Sequence, residues 1–284
     1  MPEPIDRLSA LLERFRVRMH MFHSGTLCGV TNFDAKHGRG FLHVLRRGEM
    51  AVTHNARDGV ARKIVITEPS LLFYPRPLAH AFHNAPEEGS DFVCATVDFD
   101  GGMNHPLVRA LPPLVVLPLS AVEGLDHTLA LLFAEAETVR CGSRILADRM
   151  FEVLMLQLLR WLLDHPDQAD LPRGLLTGLA HPKIAAALTA MHERPGHDWS
   201  LAAMAEVAGM SRSAFAAAFK SHAGETPAEY LSKWRVSIAQ TLLRRGKPVK
   251  AAADLLGYQS AASFSRAFSQ VTGMSPRAWM QANP

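Results

Sequence analysis

Cysteine is scarce in this chain, with three residues in 284, at Cys28, Cys94 and Cys141. That is too few and too widely spaced for a disulfide framework, and an odd count fits a reducing compartment. Long apolar runs are missing as well. The nearest approach to a membrane span, VLMLQLLRWLL, is broken by Arg160 and falls short of the roughly 18–20 apolar residues a span needs. The N-terminal MPEPIDRLSALLERFRVRMH carries charges throughout and has no apolar signal-peptide core. A cytoplasmic chain without a membrane partner is therefore expected. Three sequence signatures of catalysis are also absent: a phosphate-cradling glycine loop, a Gly-x-Ser-x-Gly elbow and a His-Glu-x-x-His helix.

What is present is enough for two domains, on a prior of roughly 100–200 residues each. Apolar residues make up 48 % and charged residues 20 %, as in ordinary globular proteins. The net charge of +3 hides an asymmetry. Residues 1–175 hold 18 Lys+Arg against 21 Asp+Glu, a net of −3, whereas residues 176–284 hold 12 against 6, a net of +6. Only the second part is suited to a polyanion.

From about residue 20 to 120 the chain reads as short β-rich runs: 41–48, 50–54, 62–69, 70–75 and 92–99. Turn signals at Asn55 to Gly59 and Pro86 to Gly89 punctuate them. Short strands at such spacing predict a sandwich or barrel of the jelly-roll kind. Near residue 126 the period becomes helical, with a break at Cys141-Gly142. The second of these helices is apolar on more than one side, which fits either packing across its own β-domain or a dimer seam. The stretch HPDQADLPRG, at 165–174, is the best linker. Beyond it, helices are predicted at 181–193, 200–208, 211–222, 226–245, 248–255, 260–270 and 275–281.

The basic part contains a near-repeat, SLAAMAEVAGMSRSAFAAAFKSHAGETPAEYL at 200–231 and PVKAAADLLGYQSAASFSRAFSQVTGMSPRAWM at 248–280. Each copy has a short helix, a glycine turn (Gly209, Gly257) and a second helix opened by Ser211 or Ser260. The glycine allows positive φ, and the serine can cap the helix that follows. Phenylalanines at i,i+4, Phe215/Phe219 and Phe264/Phe268, pin that second helix to a core. Its opposite face is then free to enter a DNA groove, which defines a helix-turn-helix. The intervening helix is long enough to set the two units about one DNA turn, roughly 34 Å, apart.

The segments AEVAGMSRSAFAAAFKSHAGETPAEYLSKWRVSIAQTLL and DLLGYQSAASFSRAFSQVTGMSPRAW closely resemble the DNA-binding domain of the AraC/XylS family of bacterial transcription regulators. The resemblance covers about residues 181–284. It implies double-stranded DNA as partner, a homodimer, and contact with RNA polymerase if the protein activates. By position in that family, Ser211, Arg212, Ser213, Ala216 and Ala217 belong to the first recognition helix. Ser260, Ser263 and Arg266 belong to the second. Arg266 can pair bidentately with guanine or hold a phosphate. The alanines favour shape or thymine methyl groups over hydrogen bonds. Lys220, Lys233, Arg235, Arg244 and Arg245 suit phosphates, and Trp234 and Trp279 suit a core.

In the acidic part, FLHVLRRGEM and EPSLLFYPRPLAHAFHN resemble the cupin-type sensor domain of one branch of that family. The resemblance implies an α+β chain: a cupin-like β-barrel followed by helices, then an all-α domain with two helix-turn-helix motifs. The expected divisions are a sensor domain at 1–125, a coupling and dimerisation segment at 126–164, a linker at 165–180 and the DNA-binding domain at 181–284. His43, His80 and His83, with Glu49 as a fourth group, are the candidates for a divalent metal or for a metal-free effector pocket. The first cupin motif is incomplete, because Leu45 stands where a second histidine is usual, while His80 and Asn84 match the second motif. Cys28 and Cys94 are candidates for oxidant sensing or for plain core cysteines. Arg14 and Arg18 form Arg-x-x-x-Arg, a spacing that in other proteins grips cyclic di-GMP. The competing class is a metal-dependent cupin enzyme fused to a DNA-binding domain, which a complete metal triad would favour.

Overall fold

The computed structural model describes residues 5–35, 38–55, 59–138 and 140–283. These form a short helix α1 (Ser9–Arg14) and then β1 (Val17–Leu27), β2 (Val30–Phe33), β3 (Gly40–Arg47) and β4 (Met50–His54). Next come β5 (Lys63–Ile66), β6 (Ser70–Tyr74), β7 (His80–Asn84), β8 (Ser90–Phe99), α2 (Pro106–Ala110) and β9 (Val115–Pro118). All later elements are helical: α3 (Leu125–Glu137), α4 (Ser143–Asp164), α5 (Leu175–Ala180), α6 (Pro182–Glu193), α7 (Leu201–Val207) and α8 (Arg212–Ala223). The chain closes with α9 (Pro227–Arg244), α10 (Val249–Leu255), α11 (Ala261–Thr272) and α12 (Pro276–Ala282). No described helix is long and apolar enough to cross a membrane.

The chain folds as two compact units. One comprises Val17–Met103 with Leu107–Leu171, and the other the described residues before Val17, Asn104–Pro106 and the chain from Pro172 onward. The described residues 5–16 thus belong with the helical unit, although they directly precede the first strand of the barrel. Leu11 and Phe15 are the reason: both are buried, and the Phe15 ring lies 5.1 Å from that of Trp234.

The β-unit has two antiparallel sheets, ordered β1-β8-β3-β6-β9 and β2-β7-β4-β5. The core lies between them. Strand β4 alternates buried Met50, Val52 and His54 with half-buried residues, whereas β6 is buried throughout as a central strand should be. Strand β1 is an edge strand with a bulge. Met21 faces Ala95 and His23 faces Cys94, so Phe22 is the extra residue. Helix α4 packs along β1, where Asp148 Oδ1 accepts the Met21 N–H at 2.8 Å. Packing buries Phe151, Leu154, Leu158 and Leu162 of α4 and leaves Ile145, Leu146, Val153 and Leu156 exposed.

In the helical unit the predicted helices are present to within a few residues at each end. The second part of the 165–180 stretch, expected as linker, forms α5 with Leu175, Leu176 and Leu179 buried. Gly178 explains the tight fit: a Cβ there would lie 2.8 Å from Leu188 Cδ1. Arg14 closes the C-terminus of α6, its Nε and Nη2 donating to the His192 and Glu193 carbonyls at 3.0 Å each. A cation at that end complements the helix dipole.

Candidate functional site

The two repeat copies build the same object twice. Gly209 and Gly257 adopt φ of 59° and 73°, the left-handed conformation the turn requires. Gly257 has a second constraint, since a Cβ there would overlap the Gly196 carbonyl. Ser211 Oγ accepts the Ala214 N–H at 3.3 Å and Ser260 Oγ accepts the Ser263 N–H at 3.1 Å, capping α8 and α11. Phe215, Phe219, Phe264 and Phe268 are fully buried. Each pair meets at a ring separation of 5.5 or 5.7 Å, and each has a further anchor, Tyr230 for Phe219 and Trp279 for Phe268.

That anchoring decides which faces remain free. Arg212, Ser213, Ala217 and Lys220 are exposed on α8, and Arg266 is exposed on α11 with Ser263 half-buried beside it. Beside α8, an apolar cleft of about 650 Å³ is lined by Ala216, Ala217 and Lys220 together with Trp199, Leu201 and Leu231. Trp234 and Trp279 are buried, as expected of core residues. Arg235 is not a free phosphate contact: its Nε donates to the Pro195 carbonyl at 2.7 Å and its Nη2 to that of His197 at 2.8 Å. Lys233 pairs with Glu225, and the Arg244 guanidinium lies 5.8 Å from the Trp279 ring.

The second site is inside the barrel. His43 on β3 and His80 on β7 belong to opposite sheets and meet with their Nε2 atoms 3.1 Å apart. His80 Nδ1 lies 2.8 Å from the Leu78 carbonyl, so it donates there. The neutral His80 ring must then accept at Nε2, and His43 must be the donor across the barrel. A second bond between the sheets runs from the Tyr74 hydroxyl to His54 Nε2 at 3.0 Å, while His54 Nδ1 donates to Ala61 at 2.8 Å. Tyr74 also stacks on His80 at 4.1 Å. Burial holds His80 and His43 neutral: His80 is pulled down to about 4 and His43 well below its ordinary value, each also lowered by a neighbouring histidine. Burial raises the Tyr74 hydroxyl, which stays protonated. His43 Nδ1 and both polar atoms of the Asn84 side chain are buried without a partner.

Several expected site residues do not join this chamber. His83 is exposed on the other face of β7, bonded to Thr53 at 2.9 Å, because the strand alternation that buries His80 and Phe82 turns it outward. Glu49 is exposed in the turn before β4. Among the described residues no group of three or more His, Cys, Asp or Glu side chains is placed to hold a metal. Cys94 lies in the core cluster, its thiol pushed up by burial, while Cys28 is exposed. Cys94 faces His23, and Cys28 lies five residues further along, roughly 16 Å at strand spacing. That exceeds the reach of a disulfide. Arg14 is committed to α6 in the helical unit while Arg18 is exposed on β1 of the barrel unit, so the Arg-x-x-x-Arg spacing spans the division between the units. Sequence reasoning missed His54 and Tyr74; the alternation of MAVTH, with His54 in phase with Met50 and Val52, was the available signal.

Two capped and anchored groove-sized helices, in one chain with a two-sheet β-unit, have the architecture of a DNA-binding transcription regulator. The Cupin family model matches residues 6–164, more than half of the chain, and a Helix-turn-helix domain model matches residues 204–282. The chain belongs to the AraC-type transcriptional regulators with a cupin N-terminal domain. It is 37 % identical over 174 residues to an AraC-like transcription regulator of Streptomyces antibioticus, covering 60 % of this chain and 56 % of that one. A second AraC-like regulator, from Streptomyces lividans, is 29 % identical over 96 % of this chain and 97 % of its own length. The RCS-specific HTH-type transcriptional activator RclR of Escherichia coli K12 is 28 % identical over 87 % of each chain.

Proposed function

We propose that this regulator reads DNA with α8 and α11 in successive major grooves and is controlled by a small molecule bound in the barrel. The observation that carries the reading is the duplicated capping and phenylalanine anchoring of α8 and α11, which leaves Arg212, Ser213, Ser263 and Arg266 available to the duplex. Arg266 reads a base edge, and Arg212 and Lys220 hold the backbone. The alanines of α8 give the first half-site an apolar reading surface suited to thymine methyl groups.

The protein acts as a homodimer through Leu131 of α3 and Ile145, Leu146, Val153 and Leu156 of α4, a set of exposed apolar side chains that a second copy would cover. An activator built this way also touches RNA polymerase. The barrel binds its ligand and does not transform it: His43, His54 and His80 are engaged with one another, with Tyr74 and with carbonyls. Control requires the effector to favour one of two states of the protein.

The test is selection of duplexes from a random pool by the full-length chain, followed by binding of the enriched sequence over a salt series. A defined two-part sequence and a steep loss of affinity with salt support the reading. Enrichment of no sequence above background contradicts it.

A further inference from the structure

The barrel's hydrogen bonds leave one buried acceptor without a donor. The Leu78 carbonyl fixes the proton on His80 Nδ1, so His80 Nε2 accepts and His43 donates through its own Nε2. His43 Nδ1 is therefore a bare lone pair, fully buried and without a donor. Leaving such an acceptor unpaired costs roughly 1–3 kcal/mol. The apolar residues around it include Phe33, Phe41, Phe82 and Phe92, and among the described residues no Asp, Glu, Lys or Arg of the strands is buried. The unpartnered Asn84 carboxamide, 8 % exposed, supplies a second polar contact on the inward face of β7.

Phe22 is a partly exposed member of the ring cluster around His43. This bulge residue is 48 % exposed, yet its ring lies 6.2 Å from Phe33, 6.2 Å from Phe41 and 6.3 Å from His43. Phe22 thus covers the chamber on one side and meets solvent on the other. Its neighbour Met21 is bonded through its N–H to Asp148 of α4. A displacement of Phe22 would act directly on the segment of β1 that α4 holds.

We propose that the effector is a small, uncharged molecule carrying an O–H or N–H donor, which displaces Phe22 and donates to His43 Nδ1. Among the described residues no Lys or Arg is buried in the barrel, so an anion would meet the lone pair of His43 without a buried cation to balance it. A cation would lose its hydration with no carboxylate to replace it. This rests on the barrel being the effector chamber.

The experiment uses the full-length chain, labelled with ¹⁵N-histidine, and three probes of similar shape: phenol, anisole and benzoate. The His43 resonances are assigned with H43Q, whose fold is checked by far-UV circular dichroism. Phenol should move the His43 Nδ1 resonance from its lone-pair position towards a hydrogen-bonded one. Anisole, which lacks the donor, should bind roughly tenfold more weakly, and benzoate should not bind. F22A, at an exposed position, provides a folded variant in case H43Q does not fold, and should speed phenol association several-fold. The proposal is overturned if anisole or benzoate matches phenol, if phenol leaves His43 unmoved, or if F22A leaves association unchanged. Operator affinity is measured alongside. A His43 shift with no change in operator affinity upholds the ligand class and overturns the barrel's control of DNA binding.

Discussion

His43 and His80 join the two sheets of the barrel through their Nε2 atoms, 3.1 Å apart among buried aromatic rings. The bond requires a free lone pair on His80 Nε2, and burial keeps both rings neutral in the folded protein. In the helical unit burial likewise keeps His192 neutral, with its Nε2 2.6 Å from the Tyr230 hydroxyl.

Acid should therefore weaken both units. Burial holds His80 at about 4 and His192 at about 3, and it holds His43 well below its ordinary value of 6.5. Between those values and 6.5 the unfolded chain binds protons that the folded chain refuses, so stability rises with pH in that window. The stabilisation is complete above about pH 6.5 and is lost as pH falls towards 4, at up to about 1.4 kcal/mol per pH unit for each such histidine. Calorimetric melting from about pH 7.5 to 5 checks it. An unchanged transition across that range would mean that these rings are not buried and neutral.

The second recognition helix separates stability from recognition within two residues. Phe264 is fully buried, so F264A should cost about 3–5 kcal/mol and lower the melting temperature. Arg266 is exposed, so R266A should melt like the parent. It should lose about 1–3 kcal/mol of affinity at one base position of the selected operator. A uniform loss over all operator variants would make Arg266 a phosphate contact.

The two turn glycines should differ in sensitivity. Both have positive φ, for which alanine pays roughly 1–2 kcal/mol. Gly209 opens onto free space, whereas a Cβ at Gly257 would overlap the Gly196 carbonyl. G257A should therefore destabilise the helical unit more than G209A. Equal melting temperatures for the two variants would contradict the close approach.

Arg14 and Arg18 should behave as unrelated residues. R14A removes two charge-assisted bonds to the end of α6 and should cost about 1–3 kcal/mol in thermal melting. R18A, on the exposed side of β1, should be neutral. Titration calorimetry with cyclic di-GMP should show no heat that both substitutions abolish; such a heat would restore the pair as a nucleotide grip.

The helical unit was the more legible in sequence because its signals are local. Ser211, Gly209 and the Phe215/Phe219 pair act within two turns of each other, and their duplication at Ser260, Gly257 and Phe264/Phe268 repeats the message. The barrel depends on pairings far apart in the chain. Strand β1 was hard to see because polar residues interrupt it and its bulge at Phe22 breaks the alternation. The nearness of His83 to His80 in sequence carries no information on strand phase, which turns His83 outward. Only the register that sets His54 opposite His80 shows which histidines share a face. The docking of Leu11 and Phe15 on the helical unit left no local signal, since it joins residues more than 150 positions apart.

The central claim is that one chain reads two adjacent grooves with α8 and α11. Hydroxyl-radical footprinting of the full-length protein on its selected operator tests this most directly. The account predicts, for each subunit, two protected segments about one helical turn, roughly 10 base pairs, apart on one face of the duplex. R266A should weaken only the segment read by α11. A single short footprint, or protection independent of sequence, would contradict it.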